Sequence, residues 1–207
     1  MTSMMPGFIA RLTRPFTTAT SLGISAENGV GAAAIPDGAQ KATVAAGCFW
    51  GVEHIYRKHF EGKGLYDARV GYIGGDAKNP SYRAVCSGST GHAEATQIVF
   101  DPARITYREL LEFFYRIHDP TTRNRQGNDA GTQYRSGIFF HDAEQEKVAR
   151  EVTAAANEQW YSSKITTEVI AAGQWWDAED YHQLYLNKNP AGYQCPSHYV
   201  RDFPPLK

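Results

Sequence analysis

The chain has 207 residues, of which 42% are hydrophobic and 21% charged, and its formal net charge is −1. This is the composition of a globular protein that can bury a core, and the near-neutral charge without a long basic run argues against a nucleic-acid partner. Because no apolar stretch reaches the roughly 20 residues of a membrane-spanning helix, the composition also argues against a membrane protein.

Residues 1–40 differ in composition from the rest of the chain. They are rich in Ser, Thr, Ala and Gly and lack sustained periodicity, which predicts a disordered tail. Arg11 and Arg14 precede the first acidic residue, Glu27, as in mitochondrial presequences. The sequence leaves both alternatives open: a flexible tail on a cytoplasmic protein, or a mitochondrial presequence. Residues 41–207 are predicted to form the functional domain with its C-terminal segment.

The cysteine count limits the chemistry. Cys48, Cys86 and Cys195 are too few, and odd in number, for a disulfide framework, and they lack the close paired spacing of a zinc site. A reducing compartment with catalytic or redox use of a thiol fits this pattern better.

The first predicted elements enclose one of these cysteines. The apolar run 42–46 predicts a buried strand, and apolar residues at helical spacing predict a helix at 52–60. Cys48 lies in the turn between them, flanked by Gly47 and Gly51. A lone cysteine is most often a small buried hydrophobic residue. Here, however, unpaired backbone N–H groups and the helix dipole would favour the thiolate, so the position predicts a reactive nucleophile.

Strands and helices alternate through the remainder. Strands are predicted at 67–72, 95–100, 137–140 and 166–171, and helices after a capping box at Thr106, from Asp142 to about 160, and from Asp177 to Asn189. The segments 76–94 and 118–134 are predicted to be mostly loop, and such long loops in a compact domain are usually functional. The order predicts a mixed sheet with helices packed on it, without fixing the topology.

Four residues in or beside these loops are candidates for chemistry. Glu94 lies at a loop-to-strand junction, where burial could raise its pKa and make it a proton donor, although an isolated glutamate is usually a solvated charge. Tyr82 and Tyr134 could hold a polarised oxygen, or could be ordinary amphipathic residues at the edge of the core. Asp129 could accept hydrogen bonds from a substrate backbone or cap a turn.

Several segments together resemble the A-type peptide methionine sulfoxide reductases, over about residues 44–201. The matching segments are 47–51 (GCFWG), 91–94 (GHAE), 118–121 (HDPT) and 127–136 (GNDAGTQYRS). Segments 181–185 (YHQLY) and 195–199 (CPSHY) are similar to fungal members of the family. The resemblance implies an α+β fold: a two-layer α/β sandwich with a mixed β-sheet, in a ferredoxin-like plait.

The resemblance also implies a reaction. Cys48 would attack the sulfur of the S epimer of methionine sulfoxide, free or in proteins, with Glu94 as the acid. Tyr82 and Tyr134 would hold the oxygen. By the same resemblance, Phe49 and Trp50 would form the pocket for the S-methyl group, and Asp129 would help to bind the substrate backbone.

A second cysteine would complete the cycle. Cys48, left as a sulfenic acid, would condense with Cys195 to a disulfide that thioredoxin reduces. Cys86 is expected to pack in the core. The resemblance implies repair of oxidised proteins by a monomer that needs no metal or organic cofactor.

Two other classes of protein use some of the same residues. A cysteine hydrolase would pair Cys48 with His92 or His182, form an acyl-enzyme and need no second cysteine. A peptide-binding module would use the Phe49–Trp50 cleft to hold methionine without turnover.

Overall fold

The computed structural model describes residues 36–207. The predicted tail or presequence at 1–40 therefore lies, apart from its last five residues, outside the described part of the chain. Residues 38–207 form one compact unit. None of the helices within 36–207 combines the length and the apolar character needed to cross a membrane.

The elements alternate much as the sequence predicts. The strands are β1 (Gln40–Ala46), β2 (Leu65–Ile73), β3 (Ala93–Phe100), β4 (Arg125–Gln126), β5 (Asp129–Ala130), β6 (Ser136–Phe140), β7 (Glu168–Ala171) and β8 (Trp176–Asp177). The helices are α1 (Phe49–Phe60), α2 (Tyr82–Cys86), α3 (Tyr107–Ile117), α4 (Ala143–Gln159) and α5 (Tyr185–Lys188). A 3₁₀ turn covers Thr132–Tyr134.

The main sheet has the strand order β7-β6-β1-β3-β2-β8. Its pairs are antiparallel except for β6 and β7, which are parallel and joined through α4, so the sheet is mixed as expected. The connection β1-α1-β2 skips one strand position, and β3 then fills it. The sequence of elements β1-α1-β2-β3-α3-β6, with strand order β6-β1-β3-β2, is the ferredoxin-like plait. The α+β prediction is confirmed.

The core lies between one face of the sheet and the helices α1, α3 and α4. Alternate residues of β1, Ala42, Val44 and Ala46, point into this layer and pack with Tyr56 of α1 and Phe114 of α3. The helix α3 begins at the predicted capping box, in which Thr106 and Glu109 bond each other's backbone N–H groups. This packing buries the C-terminal end of β1 and the N-terminal end of α1 in the interior of the domain.

One predicted helix is wrong. Asp177 does not cap a helix: it belongs to β8 and pairs with Gly71 of β2, and the chain then turns. The backbone N–H of Leu184 donates to Glu53 Oε2 at 2.9 Å instead of to a helical carbonyl, and Leu184 has a left-handed φ of 55°. These tertiary contacts interrupt the helical pattern, so α5 starts only at Tyr185 and Asn189 ends it.

Two predicted loops also contain structure. The segment 76–94 includes α2, which Ser81 caps, and β3 starts at Ala93, so Glu94 belongs to the strand itself. The segment 118–134 includes the hairpin β4–β5 and the 3₁₀ turn. Both segments therefore present their side chains from ordered elements.

Candidate active site

Cys48 occupies the N-cap position of α1, in the sharp turn that follows β1. The turn needs glycine at Gly47, where φ is +88° and an added β-carbon would lie 2.5 Å from Gln126 Cβ. The Cys48 side chain is buried, with 7% of its surface exposed. The predicted strand, turn and helix thus hold the thiol at the buried N-terminal end of α1.

The pKa of the Cys48 thiol is set by opposing effects. Burial and the charge of Glu94 raise the pKa, while hydrogen bonds from the backbone N–H groups of Trp50 and Gly51 lower it. The helix N-terminus acts as the sequence predicts, but desolvation outweighs it and holds the pKa well above its ordinary value. Cys48 is consequently a neutral thiol in the resting site.

Glu94 is the second buried acid of the site, with 1% of its surface exposed. It lies opposite Tyr72 in the sheet, and its Oε2 accepts the backbone N–H of Phe49 at 3.1 Å. Burial raises the pKa of Glu94 to about 8 and the carboxylate of Asp129 adds to this, against the Phe49 hydrogen bond. Near neutral pH Glu94 therefore holds a proton that it can donate.

Tyr82 and Tyr134 lie near Glu94, at the start of α2 and in the 3₁₀ turn. Burial raises the pKa of both hydroxyls, and the charge of Glu94 raises each of them further. A negative charge on Cys48 also raises the pKa of Tyr134. Both hydroxyls stay protonated and can donate to an oxygen atom. The structure thus brings together the two tyrosines, Glu94 and Cys48.

Phe49 and Trp50 form an aromatic wall beside the thiol. The Phe49 ring lies 5.9 Å from that of Tyr72. Trp50 stacks on Tyr185 at 3.7 Å between ring centroids, and its Nε1–H donates to His182 Nδ1 at 2.9 Å. These contacts fix the orientation of both rings.

The roles of Tyr185 and His182 as supports of this wall are not predicted by the sequence. The signal was present in the segment 181–185, but its apparent helical spacing concealed it. The His182 ring lies 5.1 Å from Phe49 and 4.4 Å from Tyr82. Burial lowers the pKa of His182, so the ring stays neutral with its proton on Nε2.

The site lacks the pairing that a cysteine hydrolase needs. Within residues 36–207, neither His92 nor His182 forms a hydrogen bond with Cys48: His182 Nδ1 accepts from Trp50, and both ring nitrogens of His92 are unpaired. Within the part of the chain that the structure describes, neither of these two imidazoles is in place to take the Cys48 proton.

Asp129 lies at the turn of the β4–β5 hairpin. Its Oδ1 accepts the Tyr193 hydroxyl at 2.9 Å, while its buried Oδ2 has no hydrogen-bond partner within the described residues. The Asp129 charge raises the pKa of Cys48, Glu94 and Cys195. A carboxylate with one free oxygen therefore faces the same site.

The other two cysteines lie in contrasting environments. Cys195 is buried, with 2% of its surface exposed, and its Sγ donates to the Gln126 carbonyl at 3.4 Å. The expectation that Cys86 packs in the core is wrong: Cys86 is exposed at the end of α2, a five-residue surface helix whose buried residue is Val85. All three cysteines are free thiols.

Comparisons with known proteins agree with the resemblance drawn from the sequence. A family profile described as peptide methionine sulfoxide reductase matches residues 40–202. The probable peptide methionine sulfoxide reductase of Schizosaccharomyces pombe is 51% identical over 164 residues, covering 78% of this chain and 96% of the relative. The peptide methionine sulfoxide reductase of Saccharomyces cerevisiae is 48% identical over 170 residues, covering 77% and 89%.

Solved structures agree as well. Reduced Mxr1 from Saccharomyces cerevisiae has a TM-score of 0.76 at 46% identity, covering 79% of this chain and 93% of Mxr1. Mxr1 in complex with Trx2 has a TM-score of 0.55 at 32% identity, covering 79% and 91%. The sequence resemblance is confirmed.

The burial of the thiols predicts their order of alkylation. Iodoacetamide should modify Cys86 first, because Cys86 is exposed whereas Cys48 and Cys195 are shielded from solvent. The pKa of each of the three thiols is raised, so exposure decides the order. Peptide mapping by mass spectrometry after short exposures measures the order. In urea the three rates should become similar; faster labelling of Cys48 in the folded protein would contradict the buried neutral thiol.

Proposed function

The chain belongs to the peptide methionine sulfoxide reductase family, and from this premise we propose that it reduces the S epimer of methionine sulfoxide with Cys48 as nucleophile. The substrate is the oxidised residue in proteins or the free amino acid. One observation carries the proposal: the Cys48 thiol and the Glu94 carboxyl are both buried at the start of α1, where Glu94 accepts the N–H of Phe49, and burial raises the pKa of both groups. Sulfoxide reduction needs this pair, a nucleophile for sulfur and an acid for oxygen.

In the first step, the Cys48 sulfur attacks the sulfoxide sulfur while Glu94 donates its proton to the oxygen. The oxygen passes to Cys48, which becomes a sulfenic acid, and the thiol proton returns to Glu94. The sulfoxide sulfur gains the two electrons that the Cys48 sulfur loses, and methionine leaves. The hydroxyls of Tyr82 and Tyr134, kept protonated by burial, stabilise the charge on oxygen.

Binding depends on the aromatic wall. Phe49 and Trp50 accept the S-methyl group, and the contacts of Trp50 with His182 and Tyr185 hold the wall rigid. The free Oδ2 of Asp129 accepts an N–H from the substrate backbone. With the methyl group, the oxygen and the backbone side of the substrate all placed, only one configuration at sulfur fits the site.

In the second step, Cys195 resolves the sulfenic acid. Its sulfur attacks the Cys48 sulfur, the S–S bond forms, the S–O bond breaks, and water leaves with the Cys195 proton. A disulfide requires the two Cα atoms to come within about 7 Å. Cys195 Sγ bonds the carbonyl of Gln126, whose side chain lies against Gly47, the residue before Cys48, and this contact supports the proximity of the two thiols. Thioredoxin then reduces the disulfide, as the complex of the related Mxr1 with Trx2 supports.

The enzyme works as a monomer in the cytoplasm, where thioredoxin keeps thiols reduced. The acid-poor start of the chain makes the mitochondrion the alternative compartment. Microscopy of fluorescent fusions with and without residues 1–40 distinguishes the two.

The proposed function is tested with separated epimers. Incubation with dithiothreitol should convert the S epimer to methionine and leave the R epimer essentially unchanged, because the rigid wall and the two hydroxyls admit one configuration. Chromatography measures the methionine formed. Comparable rates on both epimers would disprove the selectivity. A hydrolase or a peptide-binding module would form no methionine and consume no reductant.

Replacement of Glu94 tests the acid. Glu94→Gln keeps an oxygen acceptor for the Phe49 N–H but removes the proton, so sulfenic acid formation should slow by roughly 10²- to 10⁴-fold. Stopped-flow single turnovers measure this rate. Glu158→Gln, an exposed position on α4, is the matched control. A rate within a few-fold of wild type would remove Glu94 from the mechanism.

The pH profile gives an independent readout. Since the pKa of Glu94 is raised to about 8, the acid form predominates below that pH and is lost above it. The single-turnover rate should be flat below pH 8 and then fall, by about tenfold per pH unit. Glu94→Gln should abolish this fall.

Replacement of Cys195 separates the two steps. Cys195→Ser should still release about one methionine per enzyme, because the first step needs only Cys48 and its acid. It should then remain a sulfenic acid, fail to turn over with thioredoxin and recover with a small thiol. Cys86→Ser, at an exposed thiol, should cycle normally. The opposite pattern would make Cys86 the resolving thiol.

A further inference from the structure

One side chain, His198, connects the Cys195 segment to the backbone on both sides of Cys48. His198 Nε2 lies 2.7 Å from the carbonyl oxygen of Ala46, the last residue of β1. The same ring lies against the α-carbon of Gly51, in the first turn of α1, where an added β-carbon would collide with Nδ1. Only glycine at position 51 admits the ring.

The hydrogen bond identifies the tautomer of His198. A carbonyl oxygen only accepts, so Nε2 carries the proton and Nδ1 is bare. That Nδ1 is buried and has no partner in the described part of the chain. Burial lowers the pKa of His198, with Arg201 acting in the same direction and Asp129 against it, so the ring stays neutral. Its function is therefore that of a fixed donor.

His198 and Cys195 belong to one tight turn. The backbone N–H of His198 donates to the Cys195 carbonyl at 3.0 Å. Cys195 Sγ in turn lies against the β4–β5 hairpin, where it bonds the carbonyl of Gln126. The Gln126 amide is held by the backbone N–H and carbonyl of Asp119, at 3.0 and 2.9 Å. The hairpin itself contacts Gly47. His198 and the hairpin thus both set the position of Cys195 relative to Cys48.

The chain beyond this turn is held elsewhere. The backbone N–H of Arg201 donates to the Arg116 carbonyl at 2.9 Å, and the Arg116 guanidinium donates to the Phe203 carbonyl at 2.7 Å. On the other side of Cys195, residues 189–191 and 193–194 are exposed. His198 therefore lies between an end bound to α3 and an exposed stretch that precedes Cys195.

We propose that His198 is a positioning residue for disulfide formation, because its Nε2–H···O bond to Ala46 holds the Cys195 turn beside Cys48. This inference rests on the proposed function with Cys195 as resolving thiol. His198 touches neither reacting sulfur. In the step itself the Cys195 sulfur attacks the Cys48 sulfenic sulfur, the S–S bond replaces the S–O bond, and water leaves. His198 keeps the effective concentration of Cys195 at Cys48 high.

The test is a single turnover with methionine sulfoxide and without reductant, quenched by a thiol-alkylating reagent. Chromatography gives the methionine released, and peptide mapping gives the Cys48–Cys195 disulfide over time. His198→Phe keeps a ring of similar size but removes the donor. His198→Gln places an amide N–H near the Nε2 position. His141→Phe is the matched control, because it removes a part-buried histidine bonded to Thr43 Oγ1 at 2.9 Å.

We expect the methionine burst to be unchanged in every variant. Disulfide formation should slow by roughly tenfold in His198→Phe, the effect of one lost hydrogen bond on a rate, and should recover in His198→Gln. His141→Phe should behave as wild type.

Three results would overturn the inference: wild-type or faster disulfide formation in His198→Phe, no recovery in His198→Gln, or a burst lost in His198→Phe alone. Absence of a burst from the wild-type enzyme would instead disprove the proposed function. The two failures are therefore distinguishable.

Discussion

The site depends on the burial of two acids, the Cys48 thiol and the Glu94 carboxyl, at the junction of β1, β3 and α1. Desolvation raises the pKa of both groups; the charge of Glu94 raises that of Cys48 further, and the charge of Asp129 raises that of Glu94, so neither group ionises readily near neutral pH. The hydrogen bond from the Phe49 N–H lowers the pKa of Glu94, and those from the first turn of α1 lower the pKa of Cys48, but burial raises both pKa values by more. In the resting site the Cys48 thiol and the Glu94 carboxyl are therefore both protonated near neutral pH.

The same constraint shapes the surroundings. Burial keeps the hydroxyls of Tyr82 and Tyr134 protonated and His182 neutral, so each acts as a donor or acceptor of fixed direction. Dipoles fixed in advance stabilise charge that develops during a reaction better than solvent that must reorganise. Asp129 is the contrasting group, because its buried Oδ2 has no hydrogen-bond partner among the described residues.

Prediction from the sequence is correct where the structure follows local patterns. Thr106 and Glu109 form the predicted capping box, and Asp142 caps α4 as expected. It failed where a distant residue competes for a backbone group. Glu53 takes the N–H of Leu184 across 131 positions, which no helical periodicity at 177–189 reveals. Cys86 was misplaced because the sequence around it does not show that α2 lies on the surface.

The family, the alternation of elements and the turn that presents Cys48 are predictable from the sequence, because they depend on residue types at short spacing. The protonation of the site and the position of Cys195 depend instead on contacts between segments that are distant in the chain. The hydrogen bond from Phe49 to Glu94 spans 45 positions, that from Trp50 to His182 spans 132, and that from His198 to Ala46 spans 152. Desolvation arises only when the folded chain excludes water, so the direction of each pKa shift is a property of the packed site.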